Sequence, residues 1–463
     1  MARALLVVYD NESFIHWFPQ GIAYIAAVLR RAGHEVVIYN QDVHHYPDAH
    51  LTETLDSDHF DVVGVGVIAG YYQYRKLLGL SKAINASKNR PFYVLGGHGP
   101  SPEPEYFIRK TGADAVIIGE GEETIIDLFE ALASRRSLST VRGIAFKEGD
   151  RVELNEQRPL VEDVDSVPLP AYDLFPMDYY RLLREPNCSV TDFVIPILTG
   201  RGCTFTCTFC YRMDEGFRPR SSESIIEEIR YLQQNYRITY FGFSDELFMS
   251  SVKRATALCE DFLRSGLKFK WCCNGRLNYA RRELLELMKR AGCVFINYGI
   301  EAMDDQVLKK MQKGLTIKQI VRGIEETLDA GVSPGLNIIF GNLGDNRETL
   351  QKDAEFLLKY DDGAQMRTIR PVTPYPGSAL YYHAIKTGLL KDVEEFYERK
   401  HINSDLVSVN FTELTDEEFH QALLDANSRL IRNYYNRKLE LTLDEARRLY
   451  LDQDSGFRGF RQS

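Results

Sequence analysis

The sequence predicts an α/β protein. A doubly wound, Rossmann-like domain over residues 1–135 leads through a hairpin and linker over 136–190 to a partial (β/α)6 barrel over 191–385, with a helical region over 386–463. Three observations carry that reading. The first third alternates short Val/Ala/Gly-rich strands with helices, and glycines stop several of the strands. From residue 194 a strand–helix unit recurs six times. The final stretch is rich in Tyr, Arg and Glu, has helix-forming composition and carries no decodable motif.

In the first domain, buried strands are expected at 4–9, 35–40, 61–68, 92–95 and 113–118, with helices at 21–32, 73–84 and from 124 to about 133. Strands and helices in this order make a parallel sheet. Its ligand crevice lies at the carboxyl ends of the strands, here loops 10–20, 68–72, 96–102 and 119–124. Glycines in three of these loops let backbone approach a bulky ligand. No G-x-G-x-x-G opens the first helix, which argues against a dinucleotide. Residues 141–146 and 151–154 read as a hairpin around Glu148-Gly149-Asp150, and the proline-rich 163–176 as an ordered linker.

The barrel strands are expected at 194–198, 240–244, 268–273, 294–299, 333–340 and 365–371, with helices at 222–234, 251–265, 282–291, 317–330 and 347–360 between them. Such a barrel is open on one side, with its chemistry at the carboxyl ends of its strands. Helices at 396–400, 416–439 and 443–451 complete the chain.

The bulk numbers agree with a globular, multidomain chain of 463 residues, 44% hydrophobic and 26% charged. A net charge of −10 without a long basic run argues against a nucleic-acid surface. No stretch approaches the roughly 18 apolar residues of a membrane span. The N-terminus is a strand and not a signal peptide, because its apolar run is short and Asp10 closes it. Eight cysteines without framework spacing point to a reduced, cytoplasmic compartment.

Three of those cysteines, Cys203, Cys207 and Cys210, stand as C-x3-C-x2-C in Gly-Arg-Gly-Cys-Thr-Phe-Thr-Cys-Thr-Phe-Cys-Tyr-Arg (200–212), at the end of the first barrel strand. Three thiolates this close suit a 4Fe-4S cluster with one iron left open, whereas a structural zinc wants a fourth ligand. The alternatives are a zinc knuckle completed by Cys188 and three core cysteines. The remaining cysteines, Cys188, Cys259, Cys272, Cys273 and Cys293, read as small buried hydrophobes.

This run, with aromatic Phe209 before the last cysteine, resembles the signature of the radical S-adenosylmethionine superfamily. The stretches 18–36, Leu-Gly-Gly-His-Gly-Pro (95–100) and Ile-Gly-Glu-Gly-Glu-Glu-Thr (118–124) resemble the cobalamin-binding domain found upstream of it. Gly-Ile-Glu (299–301) and Pro-Tyr-Pro-Gly-Ser (374–378) resemble the cobalamin-dependent branch. The resemblance covers about residues 1–385 and implies three cofactors: a 4Fe-4S cluster, S-adenosylmethionine and cobalamin. It implies that Ser244, Asp245, Glu246, Arg276, Glu301 and Asn337, at successive strand ends, hold S-adenosylmethionine beside the cluster. Asp245 or Glu246 would take its ammonium and Arg276 its carboxylate. Around the corrin it implies Ile68, Gly70, Tyr71, Tyr72, Gly96, Gly97 and His98, together with Gly119, Glu120, Gly121 and Glu122. The chain has no D-x-H-x-x-G, so the resemblance implies a cobalt without a lower histidine.

The function implied is methyl transfer to an unactivated carbon. One S-adenosylmethionine would methylate the corrinoid, and a second would yield the 5′-deoxyadenosyl radical. The alternatives are a cyclase or rearrangement enzyme with the same cofactors, and a non-catalytic cobalamin-binding sensor or carrier. The expected partners are a small-molecule substrate and an external electron donor of flavodoxin or ferredoxin type. The expected state is a monomer. The two strand-end crevices are expected to face each other across one closed chamber, with the C-terminal helices capping the open barrel.

Overall fold

Alternate residues of the first strand, β1 (Arg3–Val8), are buried in two different cores, as a strand covered on both faces requires. Leu5 and Val7 join one core and Ala4 and Leu6 the other. The computed structural model describes residues 1–12, 16–213 and 215–456; residues 13–15 of the expected crevice loop 10–20 lie outside the described residues. After β1 come β2 (Glu35–Asn40), β3 (Val62–Gly66), β4 (Phe92–Gly96), β5 (Ala115–Ile117), β6 (Ile144–Glu148) and β7 (Arg151–Leu154). They form one sheet in the order β2-β1-β3-β4-β5-β6-β7, parallel through β5. The chain reverses its direction of winding between β1 and β3, so the crevice opens at the carboxyl ends of those two strands.

The hairpin 141–154 is not a bridge between domains. Its strands β6 and β7 pair antiparallel onto β5 and extend the first sheet. Without them the three-residue β5 would be a bare edge, and Ile144, Ala145 and Phe146 would have nothing to bury against. Helices Gln41–His44, Asp48–Ser57 and Pro104–Thr111 are further additions. All three are short, and Asp48–Ser57 buries only Leu51 and Leu55.

The second sheet holds β8 (Val194–Ile197). A two-residue antiparallel pair, β9 (Gly200–Arg201) and β10 (Arg218–Pro219), brackets the cysteine loop. Then follow β11 (Tyr240–Phe243), β12 (Lys270–Gly275), β13 (Cys293–Glu301), β14 (Ser333–Phe340) and β15 (Arg370–Pro371). The order β15-β14-β13-β12-β11-β8 is parallel throughout and leaves the barrel open between β15 and β8. The expected strand 365–371 keeps only its last two residues. Arg367 turns inward instead, donating to the Pro334 carbonyl at 2.6 Å. Inside the barrel the bottom layer is apolar: Val194, Tyr240, Cys272 and Phe295 pack around Leu183 from the approach segment.

The helices expected at 416–439 and 443–451 are one helix, Asp416–Tyr450, started by a Thr415–Glu418 capping box. Thr442 is absorbed by donating its hydroxyl back to the Lys438 carbonyl at 2.9 Å. This helix packs Phe419 on Phe340, and Asn427 holds both backbone groups of Ile369, at 2.8 and 2.9 Å. It therefore flanks the barrel beside its last strands. The segment that spans the barrel's open side is 372–411, where Leu380, Tyr381, Phe396 and Tyr397 share a core with helices Tyr71–Ala86 and Pro104–Thr111 of the first domain. Among the described residues no helix is long and apolar enough to cross a membrane.

The linker lies along the junction. Tyr172 stacks on Phe18 of the first domain at 5.1 Å and donates its hydroxyl to Glu228 of the first barrel helix at 2.6 Å. Glu228 is fully buried and paired with buried Arg220. Glu228→Ala leaves buried Arg220 with no carboxylate partner among the described residues but Asp165 at 3.9 Å, and we expect a loss of about 3–5 kcal/mol in urea unfolding.

Candidate active site

Strand β8 ends at Ile197, and the chain enters the cysteine loop through Thr199, whose position is fixed from β11. The backbone N–H and hydroxyl of Thr199 both donate to the Asp245 carboxylate, and Arg254 donates to the Thr199 carbonyl at 2.6 Å. Asp245 is 1% exposed. It is therefore committed to holding the loop and does not offer a carboxylate to an ammonium. Its neighbour Glu246 is exposed and lies close enough to Cys203 to act on it electrostatically. Ser244 donates to Gln20 of the first domain at 2.9 Å, and Gln20 in turn donates to the Pro196 carbonyl at 3.0 Å.

Within the loop Cys207 is buried, Cys203 half-buried and Cys210 exposed. Two barrel contacts pin its middle: Thr208 N–H to the Met311 carbonyl at 3.0 Å, and Leu380 N–H to the Thr208 carbonyl at 2.8 Å. Among the described residues no three His, Cys, Asp or Glu side chains converge on one point as ligands of a single metal ion. A four-iron cluster asks for something else, since each thiolate holds a different iron at a different corner of an extended body. Cys207 and Cys210 share a proton. The first thiolate of the pair forms below the ordinary thiol range, because the Cys210 S–H donates to it and Lys313 and Arg276 face it; the second proton is held more tightly.

Arg276, just past the end of β12, is 5% exposed. Its Nη1 lies 3.8 Å from Cys207 Sγ, its Nε donates to Asn278 at 2.9 Å, and its guanidinium stacks 3.4 Å from the Phe205 ring centroid. Its Nη2 is buried without a hydrogen-bond partner among the described residues. A buried, unspent donor on a fixed fork beside the triad suits a ligand carboxylate. Glu301 closes β13 with φ of +72°, a left-handed conformation rare for a residue with a side chain. The turn folds its carboxylate back over Gly299, where a Cβ would stand 2.2 Å from Glu301 Oε1. There it meets Lys313 at 2.7 Å, and Lys313 sits 5.8 Å from the Phe209 ring centroid.

Above the apolar bottom layer the barrel floor is a row of amides. Asn337 donates to Asn297 at 2.7 Å, Asn297 to Asn274 at 3.1 Å, and Asn274 to the Asp245 carbonyl at 2.8 Å. Gly335 makes room, since a Cβ there would stand 2.4 Å from Asn297 Oδ1.

On the other side of the chamber, Gly97 has φ of +98° and packs on the Val67 carbonyl, where a Cβ would approach to 2.5 Å. The loop after β4 is thereby laced to the loop after β3, with Gly99 N–H on the Val67 carbonyl at 3.0 Å. Ile68 projects from that junction 54% exposed, and Gly119, φ +80°, faces open space. Gly70 precedes helix Tyr71–Ala86, with Gln73 folded over it. Tyr71 lies against Arg75, and Tyr72 donates to the Asp10 carbonyl at 3.0 Å. An exposed aliphatic side chain amid glycine loops at a sheet's switch point fits the flat face of a corrin.

The crevices face each other. The His98 and Tyr211 rings are 6.2 Å apart, and a Cβ on Gly377 would meet both Tyr211 and Pro102. The carboxylates of Glu120 and Glu122 are taken by arginines of the cysteine loop: Arg201 pairs with Glu120 at 2.8 Å and with Glu122 at 2.5 Å, and Arg218 pairs with Glu120 at 2.9 Å. Gly121, between them, packs on Ile25.

Lys313, Asn297, Arg201 and Arg218 carry much of this site and were not singled out by the sequence reading. Arg201 stands inside the Gly-Arg-Gly-Cys run, which was its one signal. Lys313 follows a short helix far from any strand end and gives none.

The family model described as the Radical SAM superfamily matches residues 197–357, and that described as the B12 binding domain matches residues 8–129. A relative in Pyrococcus horikoshii, described as an uncharacterized methyltransferase, is 30% identical over 425 residues, spanning 88% of this chain and 90% of its own. The anaerobic magnesium-protoporphyrin IX monomethyl ester cyclase of Rubrivivax gelatinosus is 26% identical over 378 residues, 79% of this chain and 66% of its own. Among solved structures, the radical S-adenosylmethionine methyltransferase TsrM from Kitasatospora setae, with cobalamin and a 4Fe-4S cluster bound, shares the fold. Its TM-score is 0.73 at 17% identity, covering 93% of this chain and 89% of that one. The chain belongs to the cobalamin-dependent radical S-adenosylmethionine family, on its methyltransferase side. It is an enzyme whose cofactors are a 4Fe-4S cluster, S-adenosylmethionine and cobalamin.

In iron-free protein the shared proton of Cys207 and Cys210 has a measurable sign. About one thiolate per chain is expected at pH 7 by absorbance at about 240 nm, lost in Cys207→Ser. Lys313→Met removes a facing positive charge, so its thiolate should appear at higher pH than in the wild type.

Proposed function

We propose that the enzyme moves a methyl group from S-adenosylmethionine, by way of cobalamin, onto an unactivated carbon of a small molecule. The observation that carries this reading is the single chamber between the two strand-end crevices, because a carbon radical survives only if donor, acceptor and radical source are enclosed together. When bound, the cluster supplies the electron that cleaves S-adenosylmethionine and the cobalamin supplies the transferable methyl group. The chain's own residues do the rest. Cys203, Cys207 and Cys210 hold the iron. Arg276 Nη2 receives the methionyl carboxylate, and Glu246 takes over the ammonium role that buried Asp245 is not placed to fill. Glu301, braced by Lys313, and the exposed amide of Asn337 face the ribose and substrate side. Ile68, Gly97 and His98 shape the corrin face, and Tyr71 and Tyr72 stand at the helix start beside it. Segment 372–411 closes the barrel's open side and keeps water out.

The electron comes from an external donor of flavodoxin or ferredoxin type, and the enzyme works as a monomer in the reducing cytoplasm. All eight cysteines are free thiols, which suits that compartment. The relation to the Rubrivivax cyclase supports a second reading, ring closure or rearrangement with the same cofactors. A non-catalytic carrier is a poor fit to a complete triad with a buried, unspent nitrogen of Arg276 beside it.

Turnover products separate these readings. With substrate and labelled S-adenosylmethionine, methyl transfer yields S-adenosylhomocysteine and 5′-deoxyadenosine in equal amounts; rearrangement yields deoxyadenosine without homocysteine product. Anaerobically reconstituted protein is expected to carry about four irons per chain. Replacing the three cysteines by alanine should abolish iron and deoxyadenosine together, and iron retained by that variant would refute the triad. Electron paramagnetic resonance of the cob(II)alamin form should lack nitrogen splitting from a lower ligand. A strong nitrogen signal would show that a histidine reaches the cobalt after all.

A further inference from the structure

The cysteine loop leaves the barrel and returns to it through two-residue strands. Arg201 on β9 is the register partner of Arg218 on β10, so the two arginines mark the two legs of the loop at the same level. Both legs bind one side chain of the other domain. Arg218 forms a fork on Glu120, Nη1 to Oε2 at 2.9 Å and Nη2 to Oε1 at 3.0 Å. Arg201 adds Nη1 to Oε1 at 2.8 Å and sends its Nη2 to Glu122. The Val161 N–H completes Glu120 at 2.8 Å, and the Val161 carbonyl accepts from Arg218 at 2.6 Å. Arg201 also lies over the Tyr24 ring at 5.5 Å. All four charged side chains are nearly buried, between 10 and 16% exposed.

Glu120 stands one residue beyond Gly119, which faces open space at the crevice, and Arg201 stands two residues before Cys203. We propose that Glu120 is a positioning residue: its one carboxylate fastens both legs of the cysteine loop to the corrin-side domain and sets the spacing between triad and crevice. The two-residue ladder of β9 and β10 is too short to fix the loop alone, Asp245 and Arg254 anchor only its entry at Thr199, and the contacts of Thr208 hold only its middle. A planar carboxylate shared by two guanidiniums fixes distance and angle together, which a lysine's point charge cannot do. The two arginines offset the buried charge of the two glutamates, and removing Glu120 takes away the carboxylate that both guanidiniums share.

The proposal rests on the triad as the cluster site, and its test reads the loop directly. In the full-length chain, before and after anaerobic reconstitution with iron and cobalamin, hydrogen–deuterium exchange is followed in peptides covering 200–212 and 293–301. Glu120→Gln is compared with Arg218→Lys, which keeps the charge and loses the fork. Exchange in 200–212 is expected to rise about ten-fold in both variants while 293–301 keeps its wild-type protection. In the reconstituted variants the magnetic broadening between cob(II)alamin and the reduced cluster should change, reporting an altered spacing. Exchange in 200–212 within about two-fold of wild type overturns the proposal, as does an equal rise in 293–301, which would mean general loosening. If the wild type binds no iron, the proposed function fails, while the exchange of the iron-free chain still decides the latch.

Discussion

Burying Glu120 and Glu122 at the junction of two domains is tolerable only because Arg201 and Arg218 are buried with them. The remaining junction contacts agree with the orientation these charges impose: Gln20 inserts between Pro196 and Ser244, Phe18 stacks on Tyr172, and Tyr74 donates to Glu398 at 2.6 Å. With the orientation fixed, the carboxyl ends of both sheets point into the same space, and the chemistry of either crevice becomes available to the other.

The parts of the site legible in the sequence are those that share a loop or a strand end. The triad is read from spacing alone, and Arg276 and Glu301 from their place after barrel strands. What escaped depends on partners distant in the chain. Glu120 and Glu122 sit in a glycine loop of the kind that cradles a ligand, and only the tertiary fold reveals that Arg201, about 80 residues later, claims them. Asp245 looks like an exposed strand-end acid, yet Thr199, just past the end of the neighbouring strand β8, hydrogen-bonds to it and draws it inward. The hairpin 144–154 reads correctly as a hairpin, but its pairing partner is a three-residue strand whose need for an edge is invisible locally. The single C-terminal helix shows the reverse error: the sequence reads as broken between 439 and 443, where the structure runs helix straight through and Thr442 returns its hydroxyl to the Lys438 carbonyl.

Two local departures from regular geometry fall at the chamber. Glu301 adopts a left-handed backbone at the end of a strand, and the register between β13 and β14 slips at the same point. The result is a carboxylate folded back across Gly299 to Lys313, where a regular strand end would stand it perpendicular to the sheet. Sequences that break a local rule at one position generally do so where function asks for it. The glycine at 299 is what makes the departure sterically possible.

The amide row on the barrel floor has a direction. Its last acceptor is the backbone carbonyl of Asp245, which has no alternative tautomer or flip, so Asn274 must present its nitrogen there and its oxygen to Asn297. The same constraint passes to Asn337, which turns its nitrogen to Asn297 and uses one of its two N–H donors there. One peptide oxygen thus sets the polarity of three side chains on three strands. At the exposed end of the row the Asn337 oxygen is left open beside the second N–H of its amide, so a visiting molecule meets an acceptor and a donor side by side: a group that carries both, such as a hydroxyl or a primary amide, answers the pair.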